Sequence, residues 1–179
     1  MESNVSAIDS VQSHHPTLER ARMLQEIASA AGLDWPDSAD VWTRINEELA
    51  EAKAASEDLS ILASRIAART SRRTKANQVG LDTAQDLLRD ELGDLLFAVV
   101  EVCRHLGVDP DQALEAANNR FASCFRRVEE RMGADGFMIA LEHPDRLKAL
   151  WNEVKHTQLP EDFKRRESSP KIYRIAASS

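Results

Sequence analysis

Cysteine is scarce in this chain, whose 179 residues include only Cys103 and Cys124. Two cysteines provide no disulfide framework, so a reducing compartment is the expected setting, and we predict a cytoplasmic protein. Glycine and proline are also few, with six of each. No segment shows the apolar–polar alternation of a half-buried strand. The chain is therefore expected to consist of helices.

The chain also lacks an excess of basic residues. Its 30 Asp and Glu outnumber its 23 Lys and Arg, which gives a formal net charge of −7. This balance argues against a general nucleic-acid-binding protein. The longest apolar run, residues 95–100, is far too short to span a bilayer, and residues 1–15 lack the apolar core of a signal peptide. We therefore expect neither nucleic acid nor membrane as a partner.

The periodicity of apolar residues predicts an all-α helical bundle of four to five helices with mostly short loops. The fourth predicted helix carries an apolar stripe that includes Phe121, Phe125 and Val128. The predicted helices cover residues 17–31, a stretch from residue 38 with a break near 56, residues 83–107, residues 110–132 and a stretch from residue 144.

The predicted domain organisation follows from where this periodicity starts and stops. Residues 1–15 are polar and are expected to form a disordered leader. Residues 16–158 are expected to form a single helical domain, with a basic, aperiodic connector at residues 71–81. Residues 159–179 are polar and are predicted to be a disordered tail.

Two pairs of acidic residues border the predicted core stripes. Glu91 and Asp94 lie three apart on the third helix, and Glu48 and Glu51 repeat this spacing on the second. Each pair by itself is typical of an exposed, solvated helix face. Because both pairs adjoin apolar stripes, the sequence favours a shared site in which the two helices pack together.

Four carboxylates at one site need a counter-charge. Two of them ~4 Å apart repel by roughly 4 kcal/mol at an effective dielectric constant of about 20. Either protons or a divalent cation must reduce that repulsion. An all-oxygen site without histidine suits Mg²⁺ or Mn²⁺ better than zinc, and magnesium often keeps positions for water and substrate phosphates.

Cations and one aromatic residue are candidates to bind the rest of such a substrate. Arg120 and Arg127 lie seven apart on one face of the fourth helix, although a solvated surface charge explains either one equally simply. Trp35, in the loop at residues 32–37, is the best candidate to stack on a base. Its alternative role is to cover the end of the bundle core.

At this point four motifs together resemble the MazG family. They are GLDWP at 32–36, EELAE at 47–51, ELGDLLF at 91–97 and LGVDP at 106–110. The likeness covers roughly residues 18–155, apart from the connector. It implies an all-α NTP pyrophosphatase-like fold that assembles as a homodimer or as a dimer of dimers. Larger relatives have two such domains in tandem, and we count one here.

The resemblance also implies an activity, namely hydrolysis of an NTP or dNTP to the monophosphate and pyrophosphate, for nucleotide-pool housekeeping. By the family pattern, Glu48, Glu51, Glu91 and Asp94 are the catalytic residues and hold Mg²⁺, for which Mn²⁺ can substitute. Arg120 matches a basic family position, and with Trp35, Glu101 and Arg127 it completes the expected substrate-binding set.

Three departures from the family pattern bear on this expectation. The gap between the acidic pairs is long, which indicates an insertion around residues 55–85. Glu101 stands where relatives often have asparagine, and it is expected either to add a metal ligand or to change base recognition. Ser123 and Cys124 stand where many relatives have two arginines. We expect Arg127 to replace the missing cation or activity to be weak, and we expect Cys124→Arg to be tolerated.

Other functions fit parts of the sequence. A nucleotide-binding regulator of the same fold would keep the metal site and lose turnover, and a structural or interaction bundle would need neither. A di-iron bundle needs two Glu-x-x-His motifs on facing helices. The one such spacing here, Glu153 with His156, has no mate.

Overall fold

The computed structural model describes residues 6–34, 38–68, 74–134 and 144–158, and these segments are helical apart from short turns. No strand occurs in them, which confirms the predicted all-α fold class. No described helix combines the length and apolar character that crossing a membrane requires. The elements are a 3-10 helix at Ala7–Ser10, α1 at Thr17–Ala30, α2 at Ser38–Ala68, α3 at Lys75–His105, α4 at Pro110–Ala134 and α5 at Pro144–Gln158.

The chain divides into two compact units, residues 1–113 and residues 114–179. The single domain predicted over residues 16–158 stays a prediction. Within the predicted leader, residues 6–15 are described and include the 3-10 helix and the buried Val11. The predicted tail, residues 159–179, lies outside the described residues.

Helices α2 and α3, of 31 residues each, pack against each other and form the main part of the first unit. Small side chains allow this close approach, because Ala52 and Ala55 of α2 and Ala98 of α3 are all buried. Helix α1 packs on α3 as well. The buried amide of Gln25 donates a hydrogen bond from Nε2 to the Phe97 carbonyl at 2.9 Å and fixes α1 to that position.

Two predicted boundaries are wrong. Helix α2 continues through Ser56 to Ala68, and α3 begins at Lys75, inside the stretch predicted to be a connector. The cap is Thr74, whose hydroxyl accepts a hydrogen bond from the Asn77 amide at 3.2 Å. Thr83, the predicted cap, lies within the helix and donates its hydroxyl hydrogen bond to the Val79 carbonyl instead.

Helix α1 ends as predicted at a glycine. Gly32 has φ of +92°, a conformation that favours glycine over residues with a side chain. It lets the Leu33 amide reach back to the Ala28 carbonyl at 2.9 Å, in the manner of a Schellman ending. The turn brings Asp34 toward the end of α3, where it meets Arg104 at 2.6 Å.

In the second unit, α4 and α5 share an apolar core. Cys124, Val128 and Met132 recur every fourth residue along α4 and are buried with Val154 of α5. Phe121 and Phe125, which the sequence assigns to the core stripe, keep 59% and 39% of their surface exposed. The α4 face that packs on α5 is therefore only partly the one that periodicity predicts.

Candidate metal centre

Three of the four predicted acidic residues come together between α2 and α3. One carboxylate oxygen from each of Glu48, Glu91 and Asp94 lies within 4.8 Å of the other two. We call these three residues the acidic cluster. Glu48 and Glu91 are half-buried and Asp94 is exposed, so the cluster lies where the helix pair meets solvent.

The cluster follows from helix geometry and from small neighbours. Glu91 and Asp94 project from one face of α3 because residues three apart share a face. Ala52, one turn beyond Glu48 on α2, is buried and leaves room for the two helices to approach. The spacing of two acid pairs in the sequence therefore becomes one group of oxygens in the fold.

Electrostatic repulsion within this group acts on Glu48. Burial is the main cause that raises the pKa of its carboxyl group above the ordinary value of 4.5. The Arg44 guanidinium, 3.2 Å from Glu48 Oε1, acts against that rise. The charges of Asp94, Glu51 and Glu91 add to it. Glu48 therefore favours a proton or a cation beside it.

Glu51, the fourth predicted residue, does not belong to the acidic cluster as the described residues are arranged. It is exposed on α2, one turn after Glu48, and its charge still raises the pKa of Glu48. Glu51 is therefore an electrostatic neighbour of the cluster, and its role as a metal ligand stays a prediction.

The donor set suits a hard divalent cation. All three members of the acidic cluster offer carboxylate oxygens, and none of them is a histidine or a cysteine. Such oxygen sites bind Mg²⁺ or Mn²⁺, whereas zinc sites in proteins usually contain nitrogen or sulfur ligands. Neutralising the repulsion that raises the pKa of Glu48 is what a divalent cation would do here.

A chain of alternating charges leads from Glu48 to the far end of α3. Its first arginine, Arg44, lies 3.2 Å from Glu48 and 3.8 Å from a second carboxylate, that of Glu101. We call this arrangement the ion-pair chain. Its members, in order, are Glu48, Arg44, Glu101, Arg104 and Asp34.

Glu101 is the buried centre of the ion-pair chain, with only 4% of its surface exposed. Its two carboxylate oxygens each lie 3.8 Å from an arginine nitrogen, one of Arg44 and one of Arg104. The sequence predicts that Glu101 adds a metal ligand or changes base recognition. The fold instead places it between two guanidinium groups, and its role toward substrate stays a prediction.

Asp34 closes the far end of the ion-pair chain. Its carboxylate accepts hydrogen bonds from Arg104 at 2.6 Å and from the Ser29 hydroxyl, also at 2.6 Å. His105 Nε2 lies 3.2 Å from the same carboxylate. These bonds tie the turn after α1 to the end of α3, immediately before residue 35.

Asp34, Glu101 and His105 also have potential ligand atoms within 4.8 Å of one another. However, the Arg104 guanidinium lies 2.6 Å from Asp34 and 3.8 Å from Glu101. A positive charge thus already compensates both carboxylates. The acidic cluster is therefore the stronger candidate metal centre, and we describe this second group as ion pairing.

The predicted substrate cations lie on α4 in the second unit. Arg120 and Arg127 are exposed and line one cavity of about 540 Å³ together with Asn119, Ser123 and Thr157. Cys124 is buried in the core of that unit. This burial argues against the expectation that Cys124→Arg is tolerated, because the guanidinium would enter an apolar core. Trp35 lies outside the described residues.

Sequence reasoning missed Arg44 and with it the ion-pair chain. The signal for the pair with Glu48 was available, since Arg44 precedes Glu48 by four residues on a predicted helix. The contacts of Arg44 and Arg104 with Glu101 depend on helix register and on the fold of the turn at Asp34. Periodicity does not provide that information.

Comparison with known proteins finds relatives over most of the chain. The Thermotoga maritima nucleoside triphosphate pyrophosphohydrolase/pyrophosphatase MazG is 32% identical over 140 residues, 78% of this chain and 44% of that protein. The nucleoside triphosphate pyrophosphohydrolase of Escherichia coli strain K12 is 30% identical over 154 residues, 86% of this chain and 50% of that protein.

A shorter match concerns the uncharacterized protein YabN of Bacillus subtilis, which is 37% identical over 71 residues, 40% of this chain. No protein-family model matches the chain. The chain spans about half the length of the Thermotoga and Escherichia relatives.

The raised pKa of Glu48 leads to a prediction about stability without metal. The folded protein binds a proton at Glu48 more tightly than the unfolded chain does, so this group's contribution to stability falls as the pH rises from 4.5 through the raised value. Glu48→Gln, which resembles the protonated form, should melt at an equal or higher temperature than wild type at about pH 7 in chelator. The difference in melting temperature between Glu48→Gln and wild type should be smaller at about pH 4, where Glu48 of the wild type is largely protonated in both states.

Calorimetry at both pH values measures this, with Glu57→Gln on the exposed part of α2 as a control for the loss of one carboxylate. A Glu48→Gln protein that melts clearly below wild type at neutral pH in chelator would mean that the ion pair with Arg44 outweighs burial and repulsion.

Proposed function

This chain belongs to the MazG family, and from that premise we propose that it hydrolyses nucleoside or deoxynucleoside triphosphates to the monophosphate and pyrophosphate. The observation that carries the proposal is the acidic cluster, in which three family-pattern carboxylates lie within 4.8 Å of one another. The names of the relatives support the same reaction. The proposed setting is the cytoplasmic nucleotide pool.

In this proposal Glu48, Glu91 and Asp94 hold a divalent cation, Mg²⁺ or in its place Mn²⁺, with Glu51 as a fourth carboxylate nearby. When bound, such a cation offsets phosphate charge and lowers the pKa of a coordinated water. Arg44 contacts Glu48 Oε1 at 3.2 Å and offsets part of its negative charge. Glu51 adds negative charge beside the cluster and strengthens its attraction for cations.

The triphosphate itself is strongly anionic, so protein cations are proposed to bind it as well. Arg120 and Arg127 support this role because both are exposed, lie on α4 and line one cavity. A charge-assisted hydrogen bond is about twice as strong as a neutral one, which favours arginine at a phosphate. Trp35 is proposed to stack on the base, as its place in the GLDWP motif indicates.

The chain is further proposed to form a homodimer or homotetramer. Its long helices keep large apolar side chains exposed, which a lone unit would leave in water. Leu96 on α3, for example, exposes 61% of its surface, and Trp42 on α2 exposes 51%. Other exposed apolar residues of these two helices are Leu49, Ile61, Val79, Leu87, Leu92, Phe97 and Val99.

The catalytic proposal predicts that turnover depends on both metal and cluster. Pyrophosphate release from a panel of NTPs and dNTPs should stop in chelator and return with Mg²⁺ or Mn²⁺. Asp94→Asn and Glu91→Gln should abolish it, because each removes a charged ligand and leaves the side-chain size nearly unchanged. Glu57→Gln, an exposed α2 variant, serves as the control and should match wild type.

Near-normal turnover by Asp94→Asn would place the reaction elsewhere in the chain. Mg²⁺ and nucleotide binding by wild type without turnover on any nucleotide would favour the alternative, a nucleotide-binding regulator of the same fold.

The phosphate-binding role predicts a kinetic defect. Arg120→Ala should raise KM for the triphosphate or lower kcat by at least about tenfold, ~1.4 kcal/mol of transition-state stabilisation. Arg127→Ala should act in the same direction. Arg126→Ala removes an exposed arginine of the same helix and should leave the kinetics unchanged. If Arg120→Ala and Arg127→Ala both behave like Arg126→Ala, other groups bind the phosphates.

The assembly proposal predicts a mass of two or four chains by light scattering at micromolar concentration. Leu96→Glu should shift the mass toward that of a single chain, since it places a charge on an exposed apolar site of α3. A wild-type protein that scatters as a single chain would rule the assembly out.

A further inference from the structure

The Arg44 guanidinium is shared between two carboxylates that have different tasks. One nitrogen lies 3.2 Å from Glu48 Oε1, in the acidic cluster, and Nε lies 3.8 Å from Glu101 Oε2. Glu48 reaches solvent through the cluster, whereas Glu101 is buried. The same cation therefore links the proposed metal centre to a carboxylate outside it.

Glu101 itself is poorly placed to bind a cation from solution. Its side chain is 5% exposed, and both of its oxygens face arginine nitrogens at 3.8 Å. A buried carboxylate is costly unless it is paired, and here two guanidinium groups share that compensation. What Glu101 can do is hold Arg44, because no solvent competes for the contact.

Arg44 and a divalent cation would compete for Glu48. Both are positive, and Arg44 already contacts one of its two oxygens. The strength of that competition depends on how much of the Arg44 charge is compensated elsewhere. Glu101 supplies that compensation at present.

We propose that Glu101 is a positioning residue that acts through Arg44, holding the guanidinium back so that Glu48 stays available to a divalent cation. This inference rests on the proposed function, because it takes the acidic cluster as the cation site. It gives the buried glutamate of α3 a role in metal binding without making it a ligand.

The inference predicts a specific pattern in a double-mutant cycle. In Glu101→Gln, the Arg44 guanidinium loses the compensating charge of Glu101 and keeps its contact with Glu48. Mn²⁺ should therefore bind about tenfold more weakly, in the range of couplings between contacting residues. Arg44→Gln removes the competing cation and should bind Mn²⁺ at least as tightly as wild type. In the Arg44→Gln background, adding Glu101→Gln should change the affinity by less than about twofold.

The measurement is a titration of the full chain with Mn²⁺ in the absence of nucleotide, followed by electron paramagnetic resonance of the free ion. Glu57→Gln, exposed on α2, controls for the loss of one negative charge and should match wild type. Circular dichroism checks that each variant keeps its helix content. A purely structural role for Glu101 would lower the melting temperature and leave the Mn²⁺ affinity unchanged.

Several outcomes would overturn the inference. One is a Glu101→Gln protein that folds and binds Mn²⁺ like wild type. Another is a Glu101→Gln effect that persists without Arg44, since Glu101 would then act on the metal directly. Weaker binding by Arg44→Gln alone would also contradict it, because no competition would have been relieved.

If Glu101→Gln alone does not fold, Arg44→Gln and the double variant decide the matter. A difference in Mn²⁺ affinity between them of more than about twofold overturns the inference. Failure of the proposed function would give a different result, because neither wild type nor Glu57→Gln would then bind Mn²⁺. That result would contradict both the proposed metal centre and this inference.

Discussion

Repulsion among like charges is the constraint on which the site depends. Packing of α2 against α3 brings Glu48, Glu91 and Asp94 within 4.8 Å of one another, at a place where burial already weakens the solvation of Glu48. Apolar packing along two 31-residue helices stabilises an arrangement that the carboxylates alone would oppose. The fold therefore keeps uncompensated negative charge at the acidic cluster.

Arginine side chains of the protein itself compensate part of that negative charge. Arg44 contacts Glu48 on one side, and the remaining members of the ion-pair chain continue the alternation to the turn after α1. Because Glu101 is buried and lies 3.8 Å from two arginines, charges as well as helix packing link the acidic cluster to the interior of the first unit. Because Arg44 offsets only part of the negative charge, the proposed divalent cation would still be attracted to the acidic cluster.

The all-α fold class and the shared helix face of each acidic pair were predictable, because both depend on the spacing of residues along the chain. Three-residue separation places Glu91 and Asp94 on one face, and Asp109 before Pro110 correctly predicts where α4 begins. The start of α3 was not predictable from its aperiodic basic residues, since Thr74 and Thr83 are both plausible caps and only Thr74 caps the helix in the fold. The surroundings of Glu101, Cys124 and Phe121 depend on which helix faces meet, which periodicity constrains only loosely.

The position of bond cleavage tests the account most directly. Phosphorus NMR of a deoxynucleoside triphosphate turned over in ¹⁸O-enriched water, with Mg²⁺, identifies both the products and the phosphorus that water attacks. We expect the monophosphate and pyrophosphate, with the ¹⁸O label on the monophosphate and no reaction once chelator removes the metal. Release of the deoxynucleoside diphosphate and inorganic phosphate, or turnover that persists in chelator, would contradict the account.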